Sequence, residues 1–221
     1  MFESLINMIY PPKCIFCRKL LSHDVVLHIC DACNKKLPYL ENPIIRTWQE
    51  EDHYCAGALS VFEYSGMVKE SLIRFKFYSK PAYYRTYARL IAYRLGKIVD
   101  ISSFDMVMSV PLHKHKEFTR GYNQAYLISK AIGSITGLKE CSRALKRERY
   151  TEAQSLLDRH KRNQNVKGAF SVTMPDKVKE KSILLVDDIL TTGSTIEECS
   201  RVLKQAGAKR VFAVVVATGR R

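Results

Sequence analysis

The chain of 221 residues has no run near the ~20 consecutive apolar residues that a membrane-spanning helix needs. Its first residues, Met1 to Pro12, have no basic cluster ahead of an apolar stretch and end in Pro11-Pro12, so they do not read as a secretion signal. No G-x-x-x-x-G-K-S/T loop occurs, which removes the phosphate cradle of a nucleotide hydrolase. Tryptophan appears once, and there is no internal repeat or low-complexity tract. Acid is scarce relative to base: 22 Asp and Glu against 36 Lys and Arg leave a net charge of +14. Such a surface favours polyanions, whether nucleic acid, anionic lipid or phosphorylated metabolites. The expectation is a cytoplasmic protein with one α/β domain and a small extra module.

In that setting seven cysteines read as metal ligands or buried thiols rather than as a disulfide framework. Cys14-x-x-Cys17 and Cys30-x-x-Cys33, with twelve residues between the pairs, offer four soft ligands for tetrahedral Zn²⁺. Four thiolates leave no open coordination position, so the metal is expected to be structural. A metal also lets a short segment fold with little core. His23 and His28 lie between the pairs and read as surface residues. Cys55 has no C-x-x-C companion and reads as a buried thiol.

The chain's chemistry concentrates in Ile183-Leu184-Leu185-Val186-Asp187-Asp188-Ile189-Leu190-Thr191-Thr192-Gly193-Ser194-Thr195. The apolar run predicts a strand buried on both faces, from which two carboxylates emerge. A helical pattern follows, with Ile196, Cys199, Val202, Leu203 and Ala206 on one face and Gly207 closing it. A second apolar strand, Val211 to Ala217, completes a βαβ unit. The helix start suits a phosphate, since it carries partial positive charge and unpaired N–H groups. Gly193 lets the backbone approach, and Thr191, Thr192, Ser194 and Thr195 add neutral donors. Asp187 and Asp188 would repel that phosphate, so they must face another part of the ligand, such as sugar hydroxyls or hydrated Mg²⁺. Phosphoribosyl pyrophosphate (PRPP) has a phosphate, a vicinal diol and a metal-bound anion. A phospho-acceptor domain would carry its acidic residues near its start, and here they stand near the end.

Elsewhere the pattern predicts a strand from Ala56 to Tyr64 and a helix from Gly66 to Phe77. That helix ends in Arg74-Phe75-Lys76-Phe77-Tyr78, where cations alternate with aromatics. A second helix carries Tyr84, Tyr87, Ala88, Ile91 and Leu95, and a strand runs from Phe104 to Val110. Leu112-His113-Lys114-His115-Lys116 reads as a basic loop at a strand end. Arg120-Gly121-Tyr122-Asn123-Gln124 precedes a helix with Ala125, Ile128, Ile132 and Ile135 on one face. A basic stretch runs from Arg143 through Arg149, and the polar segment from Gln154 to Phe170 reads as a flap poor in core residues that ends in a strand from Gly168 to Val172. Pro38, Pro43 and Gln49 to Asp52 mark a linker.

These features together resemble the ComF (ComFC-like) competence proteins, whose signature strand and loop are similar to those of type I phosphoribosyltransferases. The resemblance rests on the four-cysteine knuckle, Arg120 to Gln124, the segment Gln154 to Phe170, and Asp187 to Thr195, in that order. Tyr122 stands where Phe is usual and Ser194 where Ala is usual. It implies an α/β, type I phosphoribosyltransferase-like fold, a mostly parallel sheet flanked by helices, behind a small N-terminal zinc module. The corresponding division is 1–45 for the zinc-finger module, 46–55 for a linker and 56–221 for the transferase-like domain.

The resemblance implies that Asp187 and Asp188 bind the ribose hydroxyls and that Thr191, Thr192, Gly193, Ser194 and Thr195 cradle the 5-phosphate. Leu112, His113 and Lys114 occupy the place of the pyrophosphate loop, and Mg²⁺ accompanies PRPP. It also implies a role in natural transformation, with single-stranded DNA and a ComFA-like DNA helicase or translocase as partners, and recruitment to the membrane DNA-uptake machinery. Lys76, Arg120, Arg147, Arg149, Arg159 and Arg162 are the cations expected to meet DNA. A metabolic phosphoribosyltransferase acting on a nucleobase or small acceptor is the other reading. No motif names an acceptor, a catalytic acid or a catalytic base, so activity as an enzyme stays open at this point.

Overall fold

The computed structural model describes residues 11–46, 53–150 and 166–219. Trp48, most of the expected linker, the segment from Gln154 to Gln164, and with it Arg159 and Arg162, lie outside the described residues. Six strands form one sheet: β1 (Ile44–Arg46), β2 (Ala58–Glu63), β3 (Met106–Ser109), β4 (Lys139–Glu140), and the two long strands named β7 (Ser182–Leu190) and β8 (Arg210–Thr218). Their order is β1-β2-β8-β7-β3-β4, and every pairing is parallel except the edge pair of β1 with β2. A second, two-stranded antiparallel sheet pairs β5 (Leu145–Arg147) with β6 (Phe170–Val172).

The two long central strands are buried on both faces, as a parallel sheet requires. Their side chains alternate between two cores. Leu184, Val186, Phe212, Val214 and Val216 join one core, and Ile183, Leu185, Val211, Ala213 and Val215 join the other. A short helix, α1 (Asp31–Asn34), carries part of the second cysteine pair. The first core also takes apolar side chains from α2 (Gly66–Phe77), α3 (Tyr83–Gly96) and α5 (Gln124–Thr136). It takes Ile15 and Phe16 of the first cysteine knuckle as well, so the N-terminal segment and the sheet share a hydrophobic core. β1 extends that segment into the sheet edge. The second core lies under α7 (Ser194–Gln205), the amphipathic helix expected after the signature strand.

Two elements differ from the sequence reading. The basic loop after β3 is mostly helical: α4 (Lys114–Arg120) starts there, with the His113 side chain accepting the His115 N–H at its cap and Gly121 closing it at φ +81°. The charged stretch Lys177 to Lys181, whose sequence reads as a turn before β7, begins inside a short helix, α6 (Pro175–Val178), opened by its proline. Among the described residues, no helix is long and apolar enough to cross a membrane.

Candidate functional site

β7 does not end at its carboxylates. It keeps pairing with β8 through Ile189 and Leu190, so Asp187 and Asp188 are strand residues that project to opposite faces. Asp188 turns toward α2 and is buried. There its Oδ2 lies 2.8 Å from Lys76 Nζ. Asp187 is half-buried, and its Oδ1 accepts the Asp188 backbone N–H at 2.8 Å. Burial and the charge of Asp188 push the Asp187 carboxyl up to about 7, against the pull of Lys76, that N–H and Arg147. One carboxylate of the pair therefore has a bound cation, and the other carries the cost of proximity.

Beyond Leu190 the chain turns at Gly193, whose φ of +87° lies in the left-handed region that glycine enters without strain. Thr192 Oγ1 and Ser194 Oγ share a hydrogen bond of 2.6 Å, so the hydroxyls sit together over the N-terminus of α7. Twelve helical residues stand behind those N–H groups. The result is an acidic pair two residues before the end of β7, beside a helix start of the kind that suits an anion.

Facing this corner are cations from two elements. Lys76 comes from α2. Arg147 comes from β5, its guanidinium 5.1 Å from the Phe170 ring centre, with burial lowering its pKa and Asp187 opposing that shift. Lys116, on α4, was not singled out from the sequence. Burial, then Arg147 and Arg120, bring its ammonium down to about 8, and it lies 5.2 Å from the Tyr150 ring centre. Lys114 is exposed, whereas His113 packs edge-on against Tyr150. Spacing along a helix carried the missed signal: Lys116 and Arg120 are four apart and share a face of α4. Arg120 itself lies 5.1 Å from the Phe77 ring centre, and Arg149 donates to the Lys167 carbonyl at 2.8 Å.

The segment Arg120 to Gln124 has a mechanical role. Asn123 caps α5 by accepting the N–H groups of Ala125 and Tyr126, and its amide donates to Val110 O at 3.1 Å. The Tyr122 hydroxyl and the Gln124 amide both donate to the Phe75 carbonyl, near the end of α2. A helix leaves its last carbonyls without partners of its own, so this motif fixes the α2 terminus and with it Lys76. Next to that point, Arg74 donates to the carbonyls of Ile15 at 3.1 Å and Phe16 at 2.7 Å, inside the first cysteine knuckle.

The ligand atoms of Cys14, Cys17, Cys30 and Cys33 all lie within 4.8 Å of one another, with Cys17 and Cys30 sulfurs 3.6 Å apart. A tetrahedral Zn–S bond of about 2.3 Å spaces sulfurs by roughly 3.8 Å, so the cluster fits a structural zinc. The four thiols share their protons: burial raises Cys14, but N–H groups of Cys17, Cys30 and Phe16 outweigh it and bring it to about 7, while burial and the other three thiols push Cys33 up.

Comparison with known proteins agrees with these two parts. The phosphoribosyl transferase domain matches residues 114–221, and the double zinc ribbon domain matches residues 5–56. Competence protein F of Haemophilus influenzae is 29% identical over 216 residues, which cover 90% of this chain and 93% of that protein. The chain is a homologue of the ComF competence proteins. Competence protein ComFC of Bacillus subtilis is 26% identical, over 88% of this chain and 78% of its own. DNA utilization protein YhgH of Escherichia coli K12 is 26% identical, over 90% and 86%. Among solved structures, the glutamine PRPP amidotransferase from B. subtilis complexed with ADP and GMP aligns at 18% identity and a TM-score of 0.43, over 65% of this chain and 30% of that longer one.

Two predictions follow from the geometry of this ComF homologue. Asp187 holds its proton to a higher pH folded than unfolded, so the folded state binds more protons between about pH 4 and pH 7 and stability falls across that window. Asp187→Asn should therefore raise the urea midpoint at pH 8 and leave it nearly unchanged at pH 4; an equal gain at both would place the cost elsewhere. Arg74→Ala removes two hydrogen bonds from a charged donor and should cost about 2 kcal/mol. It should also speed zinc release to a chromogenic chelator. Glu70→Ala, which removes only an exposed ion pair of 3.7 Å, should change neither.

Proposed function

We propose that the protein binds PRPP with Mg²⁺ at the end of β7 and serves the handling of incoming single-stranded DNA in natural transformation. The observation that carries the reading is the acidic pair standing beside the hydroxyl loop of Thr191 to Thr195 at the start of α7. In this reading Asp187 and Asp188 accept hydrogen bonds from the ribose hydroxyls, and Thr191, Thr192, Gly193, Ser194 and Thr195 take the 5-phosphate. The pyrophosphate lies toward Leu112, His113 and Lys114, with Mg²⁺ neutralising part of its charge. The competence and DNA-utilization names of the relatives support the cellular role. A cytoplasmic ComFA-like helicase at the uptake machinery is the expected partner.

Single-stranded DNA is assigned to Arg120, Arg147, Arg149, Arg159, Arg162 and Lys76. Lys76 and Arg147 also face Asp188 and Asp187, so PRPP and DNA draw on shared cations. Binding of one should weaken the other, and linkage makes the effect mutual.

Calorimetry with PRPP–Mg²⁺ tests the first half. Each charge-assisted hydrogen bond contributes about 1.5–3 kcal/mol, so Asp187→Ala and Asp188→Ala should each lose roughly tenfold or more in affinity. Unchanged affinity in both would remove the site. Fluorescence anisotropy with an oligothymidylate tests the second half. Log K should fall with log salt at a slope near −0.7 per phosphate engaged, or roughly fiftyfold between 50 and 200 mM salt for about four phosphates. PRPP binding without any salt-dependent strand binding would favour the metabolic transferase instead.

A further inference from the structure

Helical spacing puts Ile135 on the buried face of α5 with Ile128 and Ile132. The structure buries those two completely and leaves Ile135 49% exposed. It stands in a groove between α3 and α5. These helices run parallel, because Tyr84 and Arg85 line one end with Leu127, while Ala92 and Tyr93 line the other with Ile135 and Leu138. The groove consists of two adjoining hollows of about 330 and 600 Å³ that share Arg89 and Ile135. From Tyr84 to Tyr93 is nine residues, or ~14 Å of helix axis.

Its chemistry is sorted. The floor is aliphatic: Leu127, Ala131, Ile135 and Leu138 from the α5 side and Ala92 from α3. The edges are basic: Arg85, Arg89 and Lys130, all exposed. No acidic residue lines either hollow. Asp100, close by, has both carboxylate oxygens bonded to Ser102, at 2.7 to 3.0 Å.

We infer that this groove docks an acidic amphipathic helix of a partner protein. An apolar floor of two to three helical turns between cationic edges complements a helix with an apolar stripe flanked by carboxylates. Two other occupants fit less well. A second copy of this chain, paired face to face, would set Arg85, Arg89 and Lys130 against the same residues. A polynucleotide needs rings to stack on, and the floor has none. The rings at the rim each carry a cation on one side, Lys97 over Tyr93 at 4.4 Å and Arg85 over Tyr84 at 5.9 Å. The groove is separate from the PRPP corner, so this inference stands whether or not the strand-end site takes PRPP.

The test uses the full chain and a labelled synthetic peptide of roughly 16 residues, apolar at i, i+3, i+4 and i+7 with glutamates elsewhere. A scramble of the same composition controls for simple charge attraction. Anisotropy should show the amphipathic peptide binding at least about tenfold tighter than its scramble. Ile135→Asp and, as a second variant on the solvent side, Lys130→Glu should each remove most of that difference. Both should retain wild-type circular dichroism and PRPP–Mg²⁺ calorimetry. Equal affinity for peptide and scramble would overturn the inference. So would wild-type peptide binding by both variants, or variants that lose oligothymidylate binding while retaining the peptide.

Discussion

The last turn of α2 is the joint on which the arrangement depends. Three consecutive side chains leave it in three directions, as a helix of 3.6 residues per turn requires. Arg74 reaches the backbone of the first cysteine knuckle, Phe75 enters the core beside Tyr87 and Tyr122, and Lys76 meets Asp188. The Phe75 carbonyl, which the helix cannot satisfy, is taken by Tyr122 and Gln124. A metal-ready knuckle, a hydrophobic core and an acidic strand end thus share one short segment of backbone. A shift of that turn would be felt at all three.

The acidic pair shows why such bracing is needed. Two neighbouring carboxylates in a sheet repel each other and are poorly solvated. The fold pairs one of them directly with Lys76 and leaves Asp187 with a single backbone N–H and the more distant fields of Lys76 and Arg147. Folding alone gives no reason to place a second acid there. Local disagreement between sequence and stability of this kind marks residues kept for something other than stability. The hydroxyl loop that adjoins it is, by contrast, internally satisfied, with Thr192 and Ser194 bonded to each other.

What could be read from the sequence was local. The cysteine spacing, the strand before Asp187, the amphipathic α7 and the helices α2, α3 and α5 were visible because period and spacing act within a few residues. Gly193 and Gly207 marked real left-handed turns. Contacts between distant segments were not visible. Lys76 looked like one of a row of aromatic-flanked cations, yet its partner lies 112 residues away, at Asp188. Lys116 was hidden inside an apparent loop that His113 caps into a helix. Strand pairing with β8 carried β7 past its carboxylates, and a strand's end is set by its neighbour rather than by its own residues. Ile135 obeyed the helical period but not the burial that period implies, because it opens onto the groove between α3 and α5.

The charge of +14 gives the same lesson in another form. As a total it suggests a uniformly polyanion-seeking surface, but the cations are divided among different tasks. Arg74, Arg89 and Arg94 each donate to backbone carbonyls of the N-terminal segment, at Ile15 and Phe16, Val26, and Leu40. A guanidinium suits that work, since its several donors can serve carbonyls while its charge stays paired with peptide dipoles. Lys76 and Arg147 face the acidic corner, where their charge is set against Asp188 and Asp187. Lys130 and Arg85 remain at the edges of an aliphatic groove. A lysine could replace few of the first group. The excess of base is therefore better understood as three local requirements than as one global field, and each has its own geometry, partners and sensitivity to salt.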